Sequence, residues 1–334
     1  MTHLTINGRS IGPGHPAYVI AEIGFNHEGK VELGLEMIEA AATASVDAVK
    51  FQTFKANRLT LESWEHFDLI KHGELDLAAH QLLAQRAKSL NLDFLSTPFC
   101  GDSLRLLEEV GVPAYKIASM DITNVPLLRD VAGTGKPVIL STGMATLHEI
   151  GDAVEVLQQA GCTDLALLHC ISIYPPSPED ANLRTMEQIS DAFGLPTGYS
   201  DHVVGNVASL ASVTLGACIV EKHFTTDKNL PGPDHAMSTD TGEMKELAES
   251  IRLVEVALGR RCADMTRPDR ENAKVNRRGL YAASDLPAGT VLDKDNIICV
   301  RPENSLEPRA YDDVMGRTVK SDLKAEDSIS LENI

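Results

Sequence analysis

The residues from 220 to 235 place charged side chains directly after a short apolar run. The stretch "VEKHFTTDKNLPGPDH" follows the apolar residues 216–219 and brings Glu221, Lys222 and His223 in succession. Burying charged groups at the end of a core strand is costly unless something there requires them. The sequence therefore predicts a polar site, with acid–base or ion-binding chemistry, at this position.

Seven earlier apolar runs end in the same way. One such end could be a snorkelling side chain or a helix cap. Eight strand-like runs that all carry polar residues at their carboxyl ends instead indicate a shared polar site. The earlier ends carry Glu22, Asn26 and His27; Lys50 and Gln52; Ser96 and Thr97; Lys116 and Ser119; Ser141 and Thr142; His169, Ser172 and Tyr174; and Ser200, Asp201 and His202.

Two histidines are candidates for binding a metal ion. His202 and His223 lie 21 residues apart and occupy equivalent places at the ends of consecutive predicted strands. Two histidines would leave most coordination positions open for water and substrate, as a Lewis-acid site requires. Imidazole suits Mn²⁺ or Zn²⁺ better than Mg²⁺. The alternative interpretation is that each histidine is hydrogen-bonded within the core.

Two lysines stand within apolar strand residues. Lys50 and Lys116 could bind a phosphate or carboxylate, or one of them could form a Schiff base if it were desolvated. The structural alternative is that they pair with Glu22 or Asp121 inside the same site.

Hydroxyl side chains accompany the lysines at the predicted strand ends. Ser119, Ser141 and Ser200 would supply neutral donors that suit a phosphate. Serine and threonine at such junctions also cap helices, and for Thr142 we predict that capping role.

The order of the elements predicts a (β/α)8 barrel. Strand-like runs alternate with stretches of helical periodicity over about 240 residues, the size of this fold, whose active sites collect at the carboxyl ends of the strands. The alternative is a doubly wound open sheet, but "AEIGFNHEG" (21–29) does not fit its glycine-rich turn. The predicted strands cover 17–24, 47–54, 93–99, 114–119, 137–143, 165–171, 196–202 and 218–225, and the helices 33–44, 78–90, 104–110, 147–160, 207–215 and 244–258.

Four segments make up the predicted domain organisation. Residues 1–16 contain Asn7-Gly8, a hairpin turn signal, and we predict a small cap on the barrel. The barrel follows over 17–258, and the polar, unpatterned residues 259–276 are interpreted as a linker. Short segments with turn signals over 277–334 predict a second, mostly β domain.

Composition excludes several classes of protein. The chain has 334 residues and a formal net charge of −18, so a nucleic-acid or membrane-surface binder is not expected. The start "MTHLTINGRS" has no signal-peptide pattern, and no apolar run is long enough to span a membrane. Six cysteines at irregular spacing indicate reduced thiols in a cytoplasmic protein.

The ordered motifs resemble those of the sialic acid synthase family, the N-acetylneuraminate synthases and their nonulosonate relatives. The tail resembles the antifreeze-like (SAF) domain of that family through "RRGLYAASDLPAGTVL" and "VRPENSLEP". The barrel motifs are "IAEIGFNHEG" (20–29), "VKFQTF" (49–54), "FLSTPF" (94–99), "YKIAS" (115–119), "KPVILSTGM" (136–144), "LLHC" (167–170), "GYSDH" (198–202) and "EKHFTTDKNLPGPDH" (221–235).

The resemblance implies a reaction and a set of ligands. The family condenses phosphoenolpyruvate with an N-acylated amino sugar, typically N-acetylmannosamine, to give a nine-carbon 2-keto acid and phosphate. Its metal histidines match His202 and His223, with Mn²⁺ the expected ion and Mg²⁺ or Co²⁺ as alternatives. Its phosphoenolpyruvate pocket matches Lys50, Lys116, Ser119, Ser141, Ser172 and Ser200. Positions near the sugar or reacting centre match Glu22, Gln52, Thr97, Tyr174 and Asp234.

The resemblance also implies an oligomer and a catalytic group. An arginine of the family's C-terminal domain reaches the partner's active site in a domain-swapped homodimer, and Arg301 is the match. We expect Glu22 to hold or deprotonate the attacking water or the sugar hydroxyl, with Asp121 as second choice. Two departures, Met120-Asp121 in place of Gly-Glu and Ser172 in place of asparagine, concern the choice of sugar rather than the reaction class.

Several functions remain open from the sequence. N-acetylneuraminate is the first expected product, and N,N'-diacetyllegionaminate, pseudaminate or a related nonulosonate is the alternative. The stretch "PGPDHAMS" (231–238) favours the neuraminate and legionaminate branches. A Schiff-base pyruvate aldolase using Lys116 or Lys50 would need no metal. A carbohydrate-binding module on an inactive barrel would lack the strand-end groups that this chain carries.

Overall fold

The computed structural model describes residues 3–259 and 264–334. The chain divides after Gly259 into two compact units. The first unit begins with an antiparallel hairpin of β1 (Leu4–Ile6) and β2 (Arg9–Ile11). Its turn residues Asn7 and Gly8 both have positive φ, as the sequence signal suggests. The apolar residues of the hairpin pack into the same buried cluster as the amino-terminal halves of the barrel strands.

Eight parallel strands close into a barrel, which confirms the predicted fold class. Each strand pairs with the next along the chain, and the last pairs with the first. The barrel strands are β3 (Tyr18–Gly24), β4 (Ala48–Thr53), β5 (Asp93–Pro98), β6 (Tyr115–Ile117), β7 (Val138–Ser141), β8 (Leu165–Cys170), β9 (Thr197–Asp201) and β10 (Ile219–His223). All of the predicted strands correspond to one of these.

Helices follow the barrel strands and cover their outer faces. Within residues 3–259 they are α1 (Val31–Thr43), α2 (Ala56–Leu59), α3 (Phe67–His72), α4 (Leu77–Ser89), α5 (Gly101–Val110), α6 (Val125–Ala132), α7 (Leu147–Gln159), α8 (Thr185–Phe193), α9 (Val207–Thr214) and α10 (Thr241–Leu258). The sequence analysis did not predict α2, α3, α6 or α8. Helices α2 and α3 are short, and α8 buries only Met186 and Ile189, too few for a clear periodic signal.

The capping role predicted for Thr142 is wrong. Helix α7 begins several residues later, where Thr146 and Glu149 form a capping box. The Thr142 hydroxyl instead donates to the carbonyl oxygen of Leu168 on the neighbouring strand. Thr142 therefore joins two barrel strands rather than starting a helix.

Alternation along the strands explains why the barrel has a polar mouth. Side chains of a strand point alternately to its two faces. In β10, Ile219 packs in the inner barrel cluster and Val220 in the layer between strands and helices. Glu221 and His223 follow Ile219 at the same parity and face inward at the carboxyl end. The interior of the barrel is therefore apolar at its amino end and charged at its carboxyl end.

Residues 264–334 of the second unit contain two α-helices, one short 3₁₀ helix and a two-stranded antiparallel sheet. Its elements are α11 (Arg267–Asn276), β11 (Gly279–Ala282), β12 (Ile297–Val300) and α12 (Tyr311–Val314). Leu280, Leu292, Val319 and Ile329 lie in a separate buried core. This unit therefore has a core of its own.

The residues predicted as a linker, 259–276, include the helix α11. Thr266 caps this helix by accepting from the backbone N–H of Asp269, and a proline occupies its first turn. No residue of α11 is buried, so the helix has no apolar stripe for the sequence to reveal. Residues 260–263 of the predicted linker lie outside the described residues.

Two further sequence-based expectations concern membranes and cysteines. In the described part of the chain, no helix combines the length and the apolar character needed to cross a bilayer. The predicted sixth thiol, Cys262, lies outside the described residues. The described cysteines are free thiols: Cys100, Cys162, Cys170, Cys218 and Cys299.

Candidate active site at the carboxyl end of the barrel

A cavity of about 420 Å³ opens at the carboxyl end of the barrel strands. Clefts of about 650 and 800 Å³ lie near the amino ends, and one of about 450 Å³ lies beside the carboxyl ends of β7 and β8; none of them contains a residue predicted to bind substrate or metal or to act in catalysis. The cavity thus gathers most of the predicted site. It is lined by Glu22, Lys50, Gln52, Thr97, Lys116, Ser119, Ser141, Ser172, Tyr174, Ser200, His202 and His223, together with Glu221.

Four buried side chains of alternating charge form the floor of this cavity, and we call them the charged row. Lys50 Nζ lies 2.7 Å from Glu22 Oε2 and 3.7 Å from Glu221 Oε2. Lys116 Nζ lies 3.0 Å from Glu221 Oε1. The row therefore runs Glu22, Lys50, Glu221, Lys116 and joins strands β3, β4, β10 and β6. Both lysines thus pair with carboxylates, as the structural alternative predicted, but the partner of Lys116 is Glu221 rather than Asp121.

Burial and charge act differently on the two carboxylates of the charged row. Burial raises the pKa of Glu22 to about 7, because the attraction of Lys50 only partly offsets desolvation. Burial also opposes ionisation of Glu221, but Lys116 and Lys50 outweigh it and lower the pKa of that carboxyl to about 2. Glu221 is therefore a fixed anion, whereas Glu22 can gain or lose a proton near neutral pH.

The two lysines of the row also differ. Burial opposes the charge of Lys50, but Glu22 and Glu221 overcome it and raise the pKa of Lys50. Burial lowers the pKa of Lys116, and Glu221 offsets this only in part. Both lysines line the cavity, so an incoming anion can contact their ammonium groups.

Polar side chains next to the row hold its members in place. Gln52 Nε2 donates to Glu22 Oε1 at 3.3 Å, and Lys50 Nζ donates to Thr97 Oγ1 at 3.3 Å. Ser200 Oγ donates to Glu221 Oε1 at 2.9 Å. Ser200 thus contacts a carboxylate in this structure, and a ligand would have to share or replace that contact.

Serine hydroxyls converge beside Lys116 around one glycine. Ser119 Oγ accepts a hydrogen bond from the backbone N–H of Gly143 at 3.0 Å. Ser141 Oγ is buried and has no hydrogen-bond partner. A Cβ on Gly143 would collide with the side chains of Ser172, Cys170 and Ser119. The glycine therefore leaves room for hydroxyls to approach one another and form a cradle for the oxygens of an anion.

The two predicted metal histidines face each other across the mouth of the cavity. Their ring centroids are 5.3 Å apart. His202 Nδ1 lies 2.8 Å from the carbonyl oxygen of Ile171, so Nδ1 carries the proton and Nε2 keeps a free lone pair. Burial lowers the pKa of both imidazoles, which favours their neutral, metal-binding form.

The surroundings of the histidines fit a divalent ion held by two imidazoles. The buried His223 Nδ1 has no hydrogen-bond partner and lies 3.9 Å from Asp234 Oδ2. Among residues 3–259 and 264–334, no group of three or more His, Cys, Asp or Glu side chains is arranged to hold a metal. Water and substrate would therefore complete the coordination. The Tyr174 ring lies tilted against the His202 ring, with centroids 4.2 Å apart.

Asp121 and Asp234 do not line the cavity. Asp121 ends a short 3₁₀ turn, where one of its carboxylate oxygens accepts from Asn124 Nδ2 and the other has no hydrogen-bond partner. Its neighbour Met120 lines the cavity instead. Asp234 lies beside His223 in the loop that follows β10. The structure thus brings Asp234 to the edge of the site and leaves Asp121 outside the lining.

Arg301 lies in the second unit. Its guanidinium donates to Asn276 Oδ1 at 3.0 Å, and its side chain is exposed. Its role in a partner's active site therefore stays a prediction.

The sequence analysis assigned no role to Glu221, which holds the charged row together. The signal was present, because Glu221 precedes His223 by two residues and must share its face of the strand. The sequence carried no comparable signal for the apolar residues that line the cavity. Phe25, Leu59 and Ile70 reach the cavity from loops and short helices, whose paths the sequence pattern does not define.

Comparisons with known proteins show the family to which the chain belongs. The NeuB family matches residues 37–263 and the SAF domain matches residues 277–334. An N,N'-diacetyllegionaminic acid synthase of Campylobacter jejuni is 39% identical over 93% of this chain and 98% of that protein. A second one, of Legionella pneumophila, is 38% identical over 98% of each chain.

A solved structure gives the same result. The N-acetylneuraminic acid synthetase of Leptospira borgpetersenii superposes with a TM-score of 0.78 at 36% identity, covering 81% of this chain and 95% of that one. The family match spans more than half of the chain, and the relatives named above are synthases. The resemblance found in the sequence is confirmed: this chain is an enzyme that belongs to the NeuB family and carries a SAF domain after its barrel.

Proposed function

We propose that this enzyme condenses phosphoenolpyruvate with an N-acylated amino sugar to form a nine-carbon nonulosonic acid and phosphate. The observation that carries the proposal is the charged row, which presents two buried ammonium groups beside a cradle of hydroxyls. Similarity to legionaminic and neuraminic acid synthases supports the same reaction class.

Phosphoenolpyruvate fits the row because it carries two anionic groups close together. Lys50 and Lys116 both reach Glu221, so their ammonium groups lie on one side of the cavity. One can neutralise the phosphate and the other the carboxylate. The unpartnered hydroxyl of Ser141 and the hydroxyl of Ser119 would donate to the phosphate oxygens.

His202 and His223 would hold a divalent ion at the mouth of the cavity. Mn²⁺ is our first choice and Mg²⁺ or Co²⁺ the alternatives, and such an ion supplies Lewis acidity toward the aldehyde oxygen. Ile171 fixes the tautomer of His202 through its carbonyl oxygen. The chain itself thus holds His202 in the tautomer that leaves Nε2 free to bind the ion.

Glu22 is placed to move the protons of the reaction. Carbon 3 attacks the aldehyde carbon, whose oxygen takes up a proton from solvent, and water then adds to the cationic carbon 2. Glu22 would accept one proton of that water, and the tetrahedral intermediate then collapses to the ketone, expelling phosphate, which carries away the second proton. A general base works best with a pKa near the working pH, and burial gives Glu22 such a value. Asp121 is the second candidate, although it lies outside the cavity lining.

The sugar that we favour is the di-N-acetylated, 6-deoxy substrate of a legionaminic acid synthase. The sequence analysis put N-acetylmannosamine first. Phe25, Phe54, Leu59 and Ile70 contribute apolar side chains to the cavity lining, and the rings of Phe25 and Phe54 stack on each other. An apolar lining of this kind suits a methyl group and a second acetyl group better than free hydroxyls. The two legionaminic acid synthases of Campylobacter and Legionella support the same choice.

A Schiff-base pyruvate aldolase is the second candidate function. The lowered pKa of Lys116, caused by its burial, would favour the free amine that such an enzyme needs. Glu221 opposes it, because a carboxylate at 3.0 Å stabilises the ammonium form. An aldolase would also work without metal and be trapped by borohydride.

The assembly and the location of the enzyme are further proposals. We propose a homodimer in which Arg301 of the SAF domain reaches the partner's active site, in the cytoplasm. The dimer rests on the family resemblance alone, and the location on the composition of the chain.

The first prediction concerns the sugar. Phosphate release from phosphoenolpyruvate, measured with Mn²⁺, should require a sugar and should be faster with 2,4-diacetamido-2,4,6-trideoxymannose than with N-acetylmannosamine. A chelator should stop it. Faster release with N-acetylmannosamine would overturn the choice of sugar, and release without any sugar would overturn the condensation.

The second prediction concerns the metal histidines. His202→Ala should abolish Mn²⁺-dependent phosphate release, because it removes half of the protein ligands of the ion. The control is His148→Ala, which changes an exposed histidine on α7 that lies outside the cavity. Near-normal activity of the His202 variant would remove the metal role.

The third prediction concerns pH. Glu22 must be ionised to accept a proton, and its ionised fraction grows as the pH rises through about 7. The value of kcat/KM should therefore rise across this range in the unchanged enzyme. In Glu22→Gln, kcat/KM should fall by about 100-fold or more and lose this rise. The same pH dependence in the variant would assign it to the substrate or to another residue.

A further inference from the structure

A second buried ion pair lies just outside the cavity. Lys222 Nζ is 2.8 Å from Asp201 Oδ2, and their side chains are 3% and 0% exposed. The two residues are direct neighbours in the β9–β10 ladder. Neither lines the cavity, because at these positions the strands point away from the barrel axis.

Stability alone does not account for this pair. The pair lies in the layer between the strands and the helices. Tyr199 and Val220, two positions earlier in the same strands and therefore on the same face, belong to the apolar core of that layer. Taking two charges out of water costs about as much as their attraction returns, so apolar residues of similar size would serve as well or better. The pair therefore calls for a role in fixing a geometry.

The contacts of the pair enclose His202. Asp201 Oδ1 accepts from the backbone N–H of Val203 at 2.9 Å, and Lys222 Nζ donates to the carbonyl oxygen of Val203 at 2.7 Å. Ser209 on α9 donates to Asp201 Oδ2 at 2.5 Å. His202 thus lies between a member of the ion pair, Asp201, and a residue whose backbone is bound to both members, Val203.

The same pair is joined covalently to the other histidine. His223 directly follows Lys222 in β10, as His202 directly follows Asp201 after β9. Each histidine is therefore bonded in the chain to one member of the ion pair, and the two members are 2.8 Å apart. The ion pair therefore acts on the backbone next to both imidazoles, whose centroids are 5.3 Å apart.

We propose that Asp201 and Lys222 are positioning residues that set the spacing and orientation of the two histidines for metal binding. This inference rests on the proposed metal site. The pair acts from outside the cavity and touches neither the metal nor the substrate. Residues that orient metal ligands typically change metal affinity by about 10- to 100-fold when they are replaced.

The test uses the full chain and measures metal binding without substrates. The double variant Asp201→Asn with Lys222→Met removes both charges together, so no buried charge is left alone. The new amide would keep an oxygen that can accept from the backbone N–H of Val203. Titration calorimetry with Mn²⁺ should give a Kd about 10-fold or more above that of the unchanged protein. Circular dichroism should show that the variant remains folded.

The matched control is Arg252→Met. It breaks the 3.0 Å contact between Arg252 and Asp47. Asp47 directly precedes β4, so this contact lies at the amino end of the barrel, opposite to the end that carries the histidines. The substitution should lower the melting temperature without changing the Kd for Mn²⁺.

The outcomes separate the inference from the proposed function. Binding by the unchanged protein with an equal Kd in a folded double variant would overturn the inference and leave the metal site standing. Absence of Mn²⁺ binding by the unchanged protein would overturn the metal site and the inference together. If the double variant does not fold, Ser209→Ala takes its place, since it removes one donor to Asp201 and should weaken binding by a smaller factor. An unchanged Kd in that folded variant would also overturn the inference.

Discussion

Burial of four alternating charges at the mouth of the barrel is the interaction on which the site depends. Glu221 lies between Lys50 and Lys116 and neutralises part of each ammonium charge, which makes their burial tolerable. Glu22, at the end of the row, is left with less support and has a raised pKa. The arrangement therefore creates both an anion site and a proton acceptor within one cavity.

The barrel supplies the geometry that this row requires. Parallel strands bring their carboxyl ends to one edge, and alternation sends every second side chain inward. Residues far apart in the chain, such as Lys116 and Glu221, can then pair at 3.0 Å. The apolar amino-terminal halves of the strands, closed by the β1–β2 hairpin, keep water away from the charges on that side.

The sequence predicted the fold and most of the cavity because both follow from periodicity. Strand ends define the mouth of a barrel, so the alternation of elements was enough to place Lys50 and His202 there. Asp121 was predicted as a catalytic candidate from its position in a motif. A local 3₁₀ turn instead carries its side chain out of the cavity lining. Pairing partners were harder to predict, since alternation shows which face Glu221 occupies but not which lysine it meets. Helix α11 was missed because it buries nothing.

The central claim is that the two lysines of the charged row bind phosphoenolpyruvate. A crystal structure of the enzyme with Mn²⁺ and phosphoenolpyruvate tests it most directly. We predict that the phosphate and the carboxylate contact the ammonium groups of Lys50 and Lys116, with hydroxyls of Ser119 and Ser141 on the phosphate. Phosphoenolpyruvate bound outside the cavity, with both lysines still paired only with glutamates, would contradict the account.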